Sequence, residues 1–512
     1  MSAIVLRRKQ AAWWKPTSWR WFRGLTARFR ALGYAGASTA RRADPMSLTP
    51  AGANRLIRAD GPVLRARARA LARNNPYARE IIRLLTDSVV HTGIVPRCST
   101  TDEDLNARVN RAWARWAKRA VVGGAETVYG MQATAFRTFL VHGESLMRRR
   151  LLPWNPNGPV QPPVKLQLLS SSYLDDGLTD MRLRDGGYII NGIEFGPDDE
   201  PRAYWLHRVH PNDAPGYLPV PGQSQRVPAD GVVHLFEREE PEQVRGVPWL
   251  CAVIGQALRL DDISDAERER LLTQACMSVL VMGGYTPHDT HVDEPSGSVL
   301  PVALDSRGVP THELRPAGFH YLPDGVTVEK TTPMATGGYR DFATSELRAI
   351  MSGAGVPYPL GTGDLAGVSF SSARFVGGYF EHMIRTLQRR LFIPQFCEHQ
   401  WSTFIEHAIA AGQLPPGEYP AEWVLPRLPS IDPVKDVVAN ERAVLAGFTS
   451  RTSVRISRGD DPDEVDRQIA RDNKSADALQ VMFDSDPRKK STRIVDLVTG
   501  VSETSDGDAP AG

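Results

Sequence analysis

The stretch from Tyr339 to Ala411 constrains the fold most strongly, because its apolar residues recur at the spacing of two successive helices. The first helix is predicted by apolar residues three and four positions apart, which are Phe342, Leu347, Ile350 and Met351. Gly353, Gly355 and Pro357 then end it, since glycine relaxes the limits on φ and proline has no N–H to donate. The sequence therefore predicts a helix followed by a glycine-rich loop that runs to Ser369.

A second, longer helix is predicted to begin after Ser371 or Ser372, either of which is a suitable N-cap. One face carries apolar residues at helical spacing, which are Val376, Tyr379, Phe380, Met383, Ile384, Leu387 and Leu391. Pro394 cannot donate to the carbonyl of Arg390, yet the apolar pattern resumes at Phe396. We therefore expect one kinked helix that continues past the proline.

Two motifs in this stretch, LR-x8-PY and GD-x4-SFSSAR, resemble the portal proteins of tailed phages, lambda-type family. The matching residues are Leu347, Arg348, Gly355, Val356, Pro357, Tyr358, Gly363, Asp364, Ser369, Phe370, Ser371, Ser372, Ala373 and Arg374. The resemblance implies a second stem helix at 336–354, a tunnel loop at 355–370 and a kinked long tunnel helix at 371–412. In such portals these elements surround the hole through which DNA passes.

The resemblance also implies candidate site residues in these elements. The channel and tunnel-loop candidates are Tyr358, Gly361, Gly363, Asp364, Ser369, Phe370 and Arg374, and the stem candidates are Arg340, Glu346 and Arg348. We expect Asp364 to face the lumen among mostly uncharged neighbours, in a loop that its glycines make mobile. The alternative is a surface turn in which Asp364 bonds its own backbone N–H groups. Arg374 is expected to pair with a carboxylate or carbonyl of the adjacent subunit.

The N-terminal region is strongly basic, with 18 Lys or Arg against three acidic residues among the first 83. Residues 1–55 form a basic, Trp-rich arm, and its candidate contact residues are Arg7, Arg8, Lys9, Lys15, Arg20 and Arg23. This composition favours contact with DNA or with a capsid partner. A basic helix at a membrane surface is a weaker alternative, and a mobile solvated tail stays equally open.

A second block of resemblance lies in RNNPYAR, residues 73–79, and in the V-x-x-G-I-x-P pattern that ends at Pro96. Asn75 is a suitable cap for a helix with Pro76 at its first position. The buried face of that helix is predicted to consist of Ile81, Ile82, Leu85 and Val89. Trp113 and Trp116 are predicted to be core anchors on a helix that begins near Asp102.

Residues 134–245 consist of short β-rich runs separated by Gly, Pro, Asn and Asp, which predicts a sheet-bearing module within a wing at 56–245. Further family matches fall in and just after it, among them Gly143, Glu144, Tyr204, Trp205, His210, His234, Gln243, Arg245 and Gly246. Several histidines accompany carboxylates here, but they show no metal-ligand spacing. We therefore predict no metal and no cofactor.

The remaining segments are assigned by resemblance. A long amphipathic run predicts the first stem helix at 246–281, and 282–335 is the clip, with short strands at Phe319–Leu322 and Val326–Lys330. Residues 413–500 are C-terminal wing or crown helices, and 501–512 are expected to be a disordered tail. The fold class expected is thus α+β and helix-rich, a portal-type fold with wing, two-helix stem, small α/β clip, tunnel helix and helical crown.

Composition limits the alternatives. The net charge of +2 is too small for a surface that grips phosphate everywhere, and it suits a conduit through which DNA slides. The four cysteines are far apart without a C-x-x-C motif, which favours buried reduced thiols. The sequence contains neither an apolar run of about 20 residues that would span a membrane nor a signal-peptide core.

No phosphate-binding loop, nucleophile elbow or convincing dinucleotide motif is present, so we predict a structural protein and not an enzyme. The resemblance implies a homo-oligomeric ring of twelve subunits at one capsid vertex, assembled in the bacterial host cytoplasm and retained in the virion. Its partners would be double-stranded DNA, the terminase large subunit, the major capsid or scaffold protein and a head-tail adaptor. The alternatives are a hydrolase of unidentified chemistry and a stand-alone DNA-binding protein.

Overall fold

The computed structural model describes residues 51–152, 162–179, 181–211, 213, 224–275, 338–426, 432–460 and 462–481, together with the backbone of four short strands between 279 and 322. The six basic arm candidates, the second clip strand predicted at Val326–Lys330 and the tail at 501–512 lie outside these residues.

Four helices form the N-terminal part of the core, namely α1 (Ala53–Asn74), α2 (Pro76–Val89), α3 (Glu103–Ala117) and α4 (Val128–His142). Asn75 caps α2 as predicted, because its side-chain oxygen accepts a hydrogen bond from Ala78 N at 2.9 Å. The predicted face of α2 is buried. Asp102 caps α3 in the same way, and Trp113 and Trp116 are core residues, as predicted.

The strands between residues 144 and 236 form two small antiparallel sheets. A three-stranded sheet has the order β3 (Val164–Ser170), β2 (Glu144–Leu151), β9 (Val232–Phe236). A five-stranded sheet follows chain order, namely β4 (Met181–Arg182), β5 (Tyr188–Ile190), β6 (Ile193–Phe195), β7 (Pro201–Leu206) and β8 (Gln225–Pro228). The β-rich module therefore begins at Glu144 and not at residue 134, because α4 extends to His142.

Strand β1 (Val95–Cys98) pairs antiparallel with β14 (Ala421–Val424), which ties the C-terminal region to the N-terminal one. In and just before the segment predicted to be the clip, β10 (Val279–Met282) pairs in parallel with β13 (Phe319–Leu322), and β11 (Ala303–Leu304) pairs antiparallel with β12 (Pro310–Thr311). The strand predicted at Phe319–Leu322 is therefore confirmed.

Two helices occupy the predicted stem positions, α5 (Ile254–Ala275) and α6 (Tyr339–Gly353). The expectation of one helix over 246–281 is wrong at both ends. Tight turns follow Pro248, and Val279–Met282 forms a strand, because a short apolar run fits either structure. The two helices touch where Ser264 Oγ lies 2.8 Å from Tyr339 Oη.

The loop predicted at 355–370 contains a short helix, α7 (Tyr358–Thr362), which corrects the expectation of continuous loop. Pro359 is tolerated there because the first helical turn has no intrahelical N–H bonds to lose. The next helix, α8 (Phe370–Thr386), begins earlier than predicted, since its N-cap is Ser369 and not Ser371 or Ser372. Ser372 instead completes a reciprocal capping box with Ser369.

From α8 the helix continues without interruption through a π-helical segment (Leu387–Cys397) into α9 (Glu398–Ala410). Pro394 lies inside the π-helical segment, so the helix does continue past it, as the apolar pattern predicts. Seven residues of that segment are buried, and this packing holds the backbone where the proline removes a donor. Around it the aromatic core includes Trp113, Trp401 and Phe404, with ring centroids 5.3–5.8 Å apart.

The C-terminal region consists of α10 (Pro433–Leu445), α11 (Arg451–Ser457) and α12 (Pro462–Ala478). Of the described residues in α10 and α11, none is buried. Polar contacts attach these helices to the rest of the chain, among them an ion pair between Arg97 and Asp463. The helices are therefore formed and capped, but they have almost no hydrophobic core of their own.

Candidate functional site

Asp364 follows α7 and is fixed by hydrogen bonds within its own turn. Its Oδ1 accepts from Ala366 N at 3.0 Å, and its Oδ2 accepts from Tyr358 Oη at 3.0 Å. Its own N–H donates to Thr362 Oγ1 at 3.3 Å. This is the self-bonded turn of the alternative expectation, and it leaves the carboxylate half-buried on the surface.

Two stem candidates approach this turn from α6. The N–H of Ala366 and the phenol of Tyr358, together with the charges of Arg340 and Arg348, hold the pKa of Asp364 below its ordinary value. The expectation of mostly uncharged neighbours is therefore wrong, because two guanidinium groups act on this carboxylate. A ring contact strengthens the link, since Arg348 Cζ lies 5.3 Å from the centroid of the Tyr358 ring.

The third stem candidate, Glu346, is half-buried and does not join this cluster. Successive helix residues are about 100° apart, which puts Glu346 roughly opposite Arg348 on α6. The structure thus brings together Arg340, Arg348, Tyr358 and Asp364 and leaves Glu346 out.

The glycines of this region have different roles. Gly363 adopts φ +71° and ends α7 in the left-handed conformation. Gly361 is buried inside α7, and a Cβ added there would lie 2.4 Å from Met351 Sδ. Gly361 therefore allows α7 to pack closely on α6, so its role is packing and not the loop mobility expected from the sequence.

The remaining candidates lie at the start of α8. Phe370 is exposed, and Lys435 Nζ of α10 lies 5.6 Å from the centroid of its ring. The charge of Arg374 contributes to lowering the pKa of Asp432, behind the larger effects of the Lys435 side chain and backbone N–H. Within one chain, Arg374 therefore faces the N-terminus of α10.

A cavity of about 1230 Å³ separates α8 from α10 and α11. We call it the crown groove. Its lining combines apolar side chains such as Val376, Phe380 and Ile456 with charged groups of both signs, including Arg374 and Asp436. The groove shows that α10 and α11 lie beside α8 without closing against it.

The structure also contains a buried ionic cluster to which sequence reasoning assigned no role. Arg245 Nε donates to Glu144 Oε2 at 2.8 Å, and both side chains are at most 1% exposed. Asp176 pairs with Arg245 and, at 2.8 Å, with Arg65 of α1. His234 Nε2 lies 3.0 Å from Glu144 Oε2. We call these five residues the ionic junction.

The charges in the ionic junction stabilise one another. Burial opposes the ionisation of Glu144, yet the charge of Arg245 and hydrogen bonds from His234 and Arg245 hold its pKa well below the ordinary value. Burial likewise opposes the charge on Arg245, and the charges of Asp176 and Glu144 overcome it and raise its pKa. Glu144, His234 and Arg245 were visible in the sequence as family matches. Their contact was not, since 101 residues separate Glu144 from Arg245.

The described part of the chain offers neither a metal site nor a membrane-spanning helix. Among the described residues, no group of three or more His, Cys, Asp or Glu side chains is placed to hold a metal ion. No helix in the described part of the chain is long and apolar enough to cross a membrane. Cys98 and Cys397 are buried free thiols, as predicted, whereas Cys251 is only half-buried.

These observations define a helix-rich α+β protein in which a stem-like helix pair leads into a turn and a long helix. Residues 39–388 match the family model of the phage portal proteins, lambda family. This match covers more than half of the chain, so the chain belongs to the lambda family of phage portal proteins.

Two related sequences and one solved structure are similar to this chain. The chain is 28% identical over 436 residues to the probable portal protein of Halomonas phage phiHAP-1, covering 82% of each chain. It is 22% identical over 466 residues to the portal protein of Escherichia phage N15, covering 80% of this chain and 83% of that one. A chain in the neck of a native gene transfer agent particle, computed with C12 symmetry, is similar at a TM-score of 0.40 and 14% identity, covering 77% of this chain and 94% of that one.

Proposed function

We propose that twelve copies of this chain form a ring at one capsid vertex, and that the ring is the channel through which double-stranded DNA enters during packaging and leaves during ejection. The family match, which includes α5, α6, α7 and the start of the long helix, carries this proposal. The C-terminal helices support it, since they expose apolar surface that the described residues of the chain do not cover.

The proposed partners follow from this position. The clip between α5 and α6 would dock the terminase large subunit during packaging and the head-tail adaptor afterwards. The wing would meet the major capsid or scaffold protein, and the basic arm at 1–55 would contact DNA or the inner capsid partner. Near-neutral total charge favours sequence-independent passage of the duplex over tight binding.

In this proposal the turn after α7 lies at the channel wall. The charges of Arg340 and Arg348 act on Asp364, and Arg348 contacts the Tyr358 ring, so a displacement of the turn would be passed to α6. Asp364 keeps a negative charge near the passing duplex and offsets the two guanidinium groups beside it. Neither role requires a covalent bond to be made or broken, as is expected of a structural protein.

The test has two stages. Electron microscopy and sedimentation of the purified full chain at micromolar concentration and near-physiological salt should show rings with a central hole. A chain that remains a monomer or dimer under these conditions would contradict the proposal.

The second stage uses rings of defined composition in a DNA packaging assay. Asp364→Lys adds one cation per subunit beside Arg340 and Arg348, and we expect it to slow packaging. Asp364→Ala is the matched control, which removes the carboxylate without adding a cation and should leave ring assembly unchanged. Wild-type packaging rates in intact Asp364→Lys rings would exclude the turn from the channel wall.

A further inference from the structure

Helix α10 has an apolar face that points away from the crown groove. Val434, Val437 and Leu445 fall within about 80° of one another around the helix axis, at 100° per residue. They are 66%, 46% and 80% exposed, and Phe448 just beyond the helix is 86% exposed. We call Val434, Val437 and Leu445 the outer face of α10.

Helix α8 has an aromatic stripe on its own outward side. Phe375 and Tyr379 are one turn apart and are 78% and 72% exposed. The residues of α8 that line the crown groove, such as Gly377 and Phe380, lie on other sides of the same helix. A line across these elements therefore passes through the stripe, α8, the crown groove, α10 and the outer face. The two apolar surfaces lie on opposite sides.

Within the described residues, nothing covers either surface, although apolar exposure of this kind marks an interface. A 13-residue helix such as α10 is marginal alone in water, and its stability comes from packing an apolar face. Because no residue of α10 is buried within the described chain, that packing must be supplied from outside it.

The two surfaces differ, and this determines the kind of partner. A twofold dimer would pair one surface with itself, whereas a head-to-tail contact pairs two different surfaces and closes into a ring when the rotation permits. We infer that the outer face of α10 in one copy packs on the aromatic stripe of α8 in the neighbouring copy. This inference rests on the proposed ring and identifies one of its contacts.

The polar side chains near the two surfaces can pair. Glu441 is exposed on the outer face, between Val437 and Leu445. His382 is exposed beside the stripe, one turn beyond Tyr379, and of the described residues on that side of α8 none is acidic. When the copies stack, Glu441 therefore meets a side of α8 that offers a partner and no repelling carboxylate.

Cross-linking in the full chain tests the contact. Tyr379→Cys combined with Leu445→Cys puts one thiol on each surface, and mild oxidation of assembled rings should give a ladder of covalent oligomers on a non-reducing gel. The matched control combines Tyr379→Cys with Asn440→Cys, which moves the second thiol to the groove side of α10. The Tyr379→Cys single variant gives the background from the native cysteines.

A second measurement does not depend on the double variant. The thiol of Tyr379→Cys should react with a maleimide several-fold more slowly in rings than in dissociated subunits, since the contact excludes solvent.

The outcomes separate the inference from the proposed function. A ladder from the Tyr379–Leu445 pair and not from the control, together with slower labelling in rings, supports the contact. Intact rings without that ladder, with equal ladders from both pairs, or with only intramolecular cross-links would overturn the contact and leave the ring in place. A wild-type chain that forms no rings would refute the proposed function and the inference with it.

Discussion

The ionic junction and the C-terminal helices are stabilised in opposite ways. In the junction, the charged side chains of Arg65 and Glu144 and the imidazole of His234 are buried together with Arg245, which lies just before α5, and each finds its partners within the same chain. In the C-terminal region, the helices have caps and surface ion pairs, such as that between Arg455 and Asp466, but almost no buried apolar residues.

The packing of the junction is completed within one chain, whereas the packing of the C-terminal helices is expected to need a neighbouring copy. A buried, fully paired cluster fixes the relative positions of its elements in every copy before assembly. Helices with exposed apolar faces become packed only when another surface covers those faces. The body is therefore expected to be preformed, and the C-terminal helices are expected to become rigid upon ring formation.

The largest effect should follow from breaking the junction. Glu144→Ala removes one of the two carboxylates that pair with the buried Arg245, and the free energy of unfolding should fall by about 3–5 kcal/mol. Urea denaturation at matched protein concentration measures this change. Arg202→Ala is the control, because its pair with Asp185 is exposed and screened by solvent, so its loss should change stability little. Similar losses in the two variants would show that burial does not make the junction pairs more stabilising than an exposed pair.

Acid should weaken the two regions unequally. Burial and the charges of Arg69 and Arg65 lower the pKa of His142, next to the junction, to about 4, against 6.5 when unfolded. Between these values the unfolded chain binds more protons, so stability falls as pH falls, by up to about 1.4 kcal/mol per pH unit. Burial also lowers the pKa of His234, which acts in the same direction.

The C-terminal helices should not follow in that window. Hydrogen bonds and nearby charges lower the pKa values of Asp432 and Asp466 below 3.8, so their contribution to stability is lost only at lower pH. Hydrogen exchange followed by mass spectrometry at pH 6.5 and 4.5, corrected for intrinsic rates, resolves the two regions. Faster opening of α10 than of β2 upon acidification would contradict the assignment.

The smallest effect on a separated subunit should come from Leu445→Asp. The side chain is 80% exposed, so the free energy of unfolding should change by no more than about 0.5 kcal/mol. In rings the same change buries a carboxylate in the inferred contact, and dissociation should occur at lower denaturant concentration. Asn440→Asp adds the same charge to the other side of α10 and should not weaken the ring. Equal weakening by both would indicate a general charge effect.

The parts of the fold visible in the sequence are those set by neighbours in the chain. The Asn75 cap, the buried face of α2 and the continuation of the helix past Pro394 all follow from local spacing. The strand at Val279–Met282 was missed because a short apolar run does not distinguish a helix from a strand until a partner such as β13 is known.

The site was predictable only in part, for the same reason. The family motifs named Tyr358, Asp364 and Arg348, and the stem assignment added Arg340. Neither showed that these residues come together, since this depends on how α7 packs on α6. The five-residue helix α7 was not predicted, because it contains proline and glycine, which are typical of loops. The ionic junction joins residues that are far apart in the chain, and the spacing of neighbouring residues does not predict such contacts.

The long helix has a mechanical consequence, because its two halves are held so differently. Between Leu387 and Ala410 the residues that face the core are mostly buried. In α8 only Phe380 and Ile384 are buried. The part of α8 before Phe380, from Phe370 to Tyr379, therefore forms a free end about 15 Å long at a rise of 1.5 Å per residue. A rotation of about 5° about Phe380 would move the Phe370 end by about 1.3 Å. In the proposed ring, a force on the turn at Asp364 would act on this free end, and the buried residues from Phe380 onward would resist it.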